Sequence, residues 1–75
     1  MTQTSSHSSA ERFYQKAEKA LSNQKFADAE ASIAEAIAID QTNSLYWGML
    51  GKIWFQQNRF DESKDAITMA LQLNT

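Results

Sequence analysis

The 75-residue sequence contains no cysteine and no proline, and it has only two glycines. Without cysteine, neither a disulfide nor a thiolate metal site can support a core that is already small for a folded domain. Gly48 and Gly51 lie close together, so the ends of the elements have to be inferred from capping residues and hydrophobic periodicity. We therefore expect one small domain of marginal stability.

Clustered positive charge and long apolar runs are also lacking. Seven Lys and Arg stand against nine Asp and Glu, a net charge of -2, whereas nucleic-acid binding needs clustered basic residues. No apolar run approaches the roughly 20 residues that cross a bilayer. The segment from Met1 to Ala10 lacks the basic start and apolar centre of a secretory signal. We predict no nucleic-acid partner, no membrane partner and, by default, a cytoplasmic location.

The residues that catalysis requires are missing as well. His7 is the single histidine, and without a second histidine or any cysteine, zinc and thiol chemistry have no plausible site. Neither Gly48 nor Gly51 belongs to a phosphate loop, because no Gly-Lys-Ser or Gly-Lys-Thr follows them. The sequence therefore predicts no enzyme activity, no metal and no cofactor.

Apolar periodicity between polar breaks indicates four amphipathic helices. The first is expected to begin at a capping box formed by Ser8 and Glu11 and to end near Asn23. A disordered polar lead at residues 1–9 would precede it. The other helices are predicted at residues 26–39, 44–57 and 60–73.

The chain repeats itself with a period of 34 residues. This offset pairs large residues with large and small with small: Phe13 with Trp47, Ala17 with Gly51, Leu21 with Phe55, Ala29 with Ser63, Ile33 with Ile67, Ala36 with Ala70 and Ile37 with Leu71. Antiparallel helices approach closely where one presents a small residue and the other fills the gap. The spacing predicts two copies of one helical hairpin, at residues 10–43 and 44–75, and we expect Gly51→Leu to unfold the domain.

The second copy resembles the tetratricopeptide repeat, whose pattern begins Trp-x2-Leu-Gly-x2-Tyr and continues with small, large and small residues. Its first helix matches at Trp47, Leu50, Gly51 and Trp54, and its second at Ser63, Ile67 and Ala70. The first copy is weaker and keeps the size pattern at Phe13, Ala17, Ala29, Ile33 and Ala36. The resemblance implies an all-α fold in which two antiparallel helical hairpins stack as an α-α superhelix. An ordinary four-helix bundle with accidental spacing is the alternative.

In this family the first helices line a concave groove, so the resemblance implies a peptide-binding surface there. The candidate contacts are Tyr14, Leu21, Leu45, Lys52 and Phe55, which could hold a peptide by apolar anchors. The alternative is that these side chains pack on one another where the hairpins meet.

A second candidate surface lies on the last helix. Leu71 and Leu73 correspond to Ile37 and Ile39, which we expect the third helix to cover, but no helix follows them. With Met69 as a less certain neighbour, they predict self-association. Alternatively, the sequence is an excerpt from a longer array.

We therefore expect a non-enzymatic protein–protein interaction module, a scaffold that binds another protein or peptide through apolar helix faces. One alternative is a self-assembling structural unit such as a homodimer. Another is an excerpt of a longer repeat array that regulates an attached domain.

Overall fold

The structure is a computed structural model that describes the backbone of residues 3–74 and the side chains of residues 9–74. In this range the chain is all-α, with α1 at Gln3–Ser22, α2 at Phe26–Ile39, α3 at Ser44–Gln56 and α4 at Phe60–Leu73. α1 packs along α2, α3 packs along α4, and the two hairpins meet mainly where α2 contacts α3. The predicted fold of two packed helical hairpins is confirmed.

The first helix begins earlier than predicted. α1 already includes Gln3, so Ser8 lies within the helix, and the predicted start at a capping box with Glu11 is wrong. No glycine or proline lies between residues 3 and 10, and a Ser or Thr inside a helix costs only about 0.5 kcal/mol relative to Ala. The part of the predicted lead that the structure describes, residues 3–9, is therefore helical. The division of the chain into units at residues 10–43 and 44–75 stays a prediction.

The turns within the two hairpins share one backbone geometry at a spacing of 34 residues. Gln24 and Asn58 both adopt the left-handed conformation, with φ of 60° and 64°. The Arg59 N–H then donates to the Trp54 carbonyl oxygen at 2.9 Å, and the equivalent bond closes the first turn at 2.8 Å. This pattern is the Schellman motif, which satisfies carbonyl groups at a helix end. The repeat seen in the sequence is thus also a repeat of the backbone.

The loop between the hairpins is held by side chains of its own neighbourhood. The Asn43 side chain accepts a hydrogen bond from the Leu45 N–H at 3.0 Å and caps α3. The Trp47 Nε1–H donates to the Gln41 carbonyl oxygen at 2.8 Å. Trp47 therefore stabilises the loop between the hairpins in addition to packing against the core.

Small residues allow the paired helices to approach closely. Ala17 and Ala29 in the first hairpin are fully buried. In the second hairpin a Cβ added to Gly51 would lie 2.6 Å from Ile67 Cγ1, too close for any real contact. The buried Ser63 hydroxyl donates to the Gly51 carbonyl oxygen at 2.7 Å. Gly51 is accordingly required by the close contact between α3 and α4.

Candidate functional site

The α1 part of the predicted groove belongs largely to the junction between hairpins. Leu21 is only 7% exposed and lies in the core. The Tyr14 ring lies 5.5 Å from the Tyr46 ring of α3. Burial, with the charges of Glu18 and Glu11 adding to it, raises the pKa of Tyr14 above its ordinary value of 10.0. Of the two groove candidates from α1, Leu21 is therefore a core residue, whereas Tyr14 is half-buried against α3.

The α3 part of the groove is exposed but shallow. Leu45 is 64% exposed and Lys52 is also exposed, whereas Gly48 between them has open space around its missing Cβ. Phe55 lies with its ring 5.3 Å from the ring of Phe60 at the start of α4. Leu45, Lys52 and Phe55 stand seven and three residues apart and therefore share one side of α3. The peptide groove formed by the five residues stays a prediction.

The predicted self-association residues lie on different sides of α4. Leu71 is 65% exposed, Met69 is 38% exposed, and Leu73 is half-buried. Side chains two positions apart on a helix differ in direction by roughly 200°, so Met69 and Leu71 point away from each other. Leu71 instead shares its side with Phe60 and Ile67, at spacings of seven and four residues. The sequence reasoning missed this strip because it assigned Ile67 to the core.

An exposed apolar surface results, which we refer to as the open face: Phe55, Phe60, Ile67 and Leu71. Their exposed fractions are 58%, 53%, 42% and 65%, respectively. Among the described helices, α4 contacts only α3, so nothing in this part of the chain covers the outer side of α4. Contiguous exposed apolar residues are typical of interaction surfaces.

The equivalent face of the first hairpin is covered. The residues 34 positions earlier are all buried or half-buried: Leu21, Phe26, Ile33 and Ile37. The contrast is clearest between Ile33, which is fully buried, and Ile67, which is 42% exposed. It arises because α3 packs against α2. Of the two residues that α3 was predicted to cover, Ile37 is half-buried, whereas Ile39 is 39% exposed.

The opposite end of the molecule is polar and basic. α3 buries four large side chains: Tyr46, Met49, Leu50 and Ile53. The residues 34 positions before them are Arg12, Gln15, Lys16 and Lys19, all of them exposed. We refer to these four residues of α1 as the basic face. The first hairpin therefore carries charge at the positions where the second hairpin carries its apolar contact surface.

A hollow of about 570 Å³ lies beside the basic face, with Lys16, Lys19 and Lys25 among its lining residues. Ala20 also lines it and stands 34 residues before Trp54. A methyl group therefore lines the hollow where the second copy carries an indole.

Arg59 links the two hairpins at the edge of their contact. Its Nη1 lies 3.1 Å from Glu30 Oε1 on α2, and its Nε and Nη2 each lie 2.8 Å from the Glu62 carboxylate. The guanidinium also lies 5.3 Å from the centre of the Trp54 ring. The hydrogen bonds from Arg59 hold the pKa of Glu62 below its ordinary value of 4.5. The sequence analysis did not predict this link.

Lys64 takes the place of Glu30 in the second hairpin, 34 residues later. It is exposed on the same side of α4 as Phe60 and Ile67, which stand four residues before it and three after it. Within residues 9–74, the ion pairs involve Arg59 and not Lys64. The open face therefore carries one cation at its centre without an anionic partner.

No family model, curated protein or solved structure matches this chain. In the described range, no group of three or more His, Cys, Asp or Glu side chains could hold a metal ion, and no helix there is long and apolar enough to span a membrane. The most developed candidate site is the open face, which offers apolar contact and one positive charge.

Proposed function

We propose that the chain is a non-enzymatic protein–protein interaction module of the tetratricopeptide type, which binds a helical protein segment on its open face. The observation that supports it is the difference between Ile33 and Ile67, one fully buried and the other 42% exposed. The same fold position is covered by a helix in one hairpin and uncovered in the other. The default location remains the cytoplasm.

The contact between the hairpins indicates the chemistry of the partner. There the covering element is α3, which buries Tyr46, Met49 and Ile53, so we expect a helix with an apolar side. At the rim of that contact Arg59 pairs with Glu30. On the open face, Lys64 stands in place of Glu30. The partner should therefore carry an acidic residue at the position that corresponds to Arg59, just after the end of its helix.

The expected affinity is moderate. Complete burial of a large apolar side chain contributes about 1.5–3 kcal/mol, but association costs about 4–15 kcal/mol of translational and rotational freedom. Four partly exposed side chains and one ion pair therefore suggest a dissociation constant on the order of micromolar.

The proposal can be tested with a labelled peptide that copies residues 43–60 and carries Arg59→Glu. Fluorescence anisotropy should show binding to the chain, and the unsubstituted peptide should bind about tenfold more weakly, because its arginine would face Lys64. In the variant Lys64→Glu the preference between the two peptides should reverse.

Two substitutions in α4 locate the binding surface. Leu71→Glu should abolish binding of the Arg59→Glu peptide, whereas Met69→Glu, on the other side of the same helix, should leave it intact. Equal binding by both variants, or no binding of either peptide to any chain, would contradict the proposal.

A further inference from the structure

We infer that the partner on the open face is a second copy of this chain, joined to the first through α4 in a two-fold symmetric dimer. This inference rests on the proposed function, since it uses the same surface. A copy could in principle bind in two ways, either head to tail through its first hairpin or symmetrically through its own open face.

Head-to-tail binding is disfavoured by the basic face. The covering helix in the contact between hairpins is α3, whose buried side chains include Met49, Leu50 and Ile53. A second copy bound in the same manner would instead place Gln15, Lys16 and Lys19 on the apolar open face. Two ammonium groups would then be placed against the apolar side chains of the open face, which weakens this arrangement.

Rim charges disfavour the same arrangement independently. Arg59 of the second hairpin meets Glu30 of the first at 3.1 Å. Repeating this contact between two copies would bring Lys25, which stands 34 residues before Arg59, against Lys64. Two like charges would then replace an ion pair, which destabilises the wrong assembly.

Symmetric binding through α4 avoids both problems. The apolar strip of Phe60, Ile67 and Leu71 follows the spacing of seven and four residues that lets two helices pack along each other. In an antiparallel pair, Phe60 approaches Leu71 of the partner subunit, and Ile67 lies near the two-fold axis. The strip is therefore complementary to itself.

The charges of α4 also suit an antiparallel pair. They all lie between Asp61 and Asp65, and the helix from residue 66 to residue 73 carries none. The acidic first turn of one helix then lies beside the uncharged half of the other, so no like side-chain charges meet. A second copy also brings Asp65 of the partner subunit near Lys64.

The absence of cysteine allows a direct test by single-cysteine cross-linking. Under mild oxidation Ile67→Cys, which keeps the strip apolar beside the proposed axis, should form a disulfide with its own counterpart. Gln15→Cys on the basic face should remain a thiol, and a mixture of the two variants should give no mixed disulfide. A mixed disulfide would show head-to-tail binding and overturn the inference.

Sedimentation equilibrium supplies the second measurement. From about 1 µM to about 1 mM, the mass should rise from 8.5 kDa towards twice that value. Leu71→Glu should raise the dimer dissociation constant about thirtyfold or more, while Met69→Glu should not, and both should keep their helical circular dichroism.

The two proposals fail in different ways. A chain that stays monomeric throughout this range but binds the Arg59→Glu peptide would overturn the dimer and keep the open face as a site for another protein. A chain that does neither would overturn both.

Discussion

At the scale of single residues, the two glycines of α3 have opposite roles although they stand three positions apart. A Cβ on Gly48 would have nothing within 4 Å, whereas one on Gly51 would lie 2.6 Å from Ile67 Cγ1 and 3.3 Å from the Ser63 carbonyl oxygen. Gly48→Ala should therefore stabilise the fold by about 1 kcal/mol through helix propensity alone. Gly51→Ala gains the same propensity but should lose about 1–2 kcal/mol overall through overpacking.

Urea unfolding followed by circular dichroism measures both changes. Adding Ile67→Ala to Gly51→Ala should recover part of the loss, since it removes the atom that the new methyl group meets, and Gly51→Leu should not fold. If the two alanine variants were equally stabilised, the contact between α3 and α4 would not be as close as described.

At the scale of elements, both hairpin turns depend on one residue in the left-handed conformation. Gln24 adopts φ of 60° and Asn58 adopts φ of 64°, a conformation that asparagine tolerates and glutamine does not favour. Gln24→Gly should therefore stabilise the chain by about 1 kcal/mol, and Asn58→Gly by clearly less. Thermal unfolding of the two variants and of Gln24→Ala, which should give no gain, checks this difference.

The elements also show how far sequence reasoning reaches. The bounds of α2 and α4 agree with prediction because a Phe after a polar break begins each helix and apolar periodicity continues to its end. The start of α1 was misplaced because no breaker precedes Ser8. The open face was only partly predicted. Ile33 and Ile67 occupy the same position of the repeat, and their burial differs because α3 packs on α2 whereas no described helix packs on the outer side of α4. Tertiary position of this kind is not encoded in a local pattern.

At the scale of the whole molecule, Arg59 is a link between hairpins that responds to acid. Arg59 lowers the folded-state pKa of Glu62 below 4.5. The Arg59–Glu62 ion pair therefore stabilises the fold above pH 4.5, and this contribution is lost as the pH falls through the folded-state pKa of Glu62. On acidification from about pH 7 to about pH 3, the free energy of unfolding should therefore fall less in the Arg59→Gln variant than in the parent. The difference should be small, since the pair is exposed.

Urea midpoints at the two pH values, measured on the parent and the variant, test this expectation. Lys52→Gln provides the control, because it removes an exposed cation that forms no ion pair in the described part of the chain. The expectation fails if Arg59→Gln and the parent respond to acid alike.

The cationic surface of α1 has one further consequence for assembly size. Two chains joined at their apolar ends would carry Arg12, Lys16 and Lys19 outward at both extremities. Neither extremity would then present an apolar surface, so the described helices would form a closed pair of chains instead of extending into a fibre. The lysines of the first hairpin would then act as terminators, which set the length of the particle without contributing to the stability of its subunits.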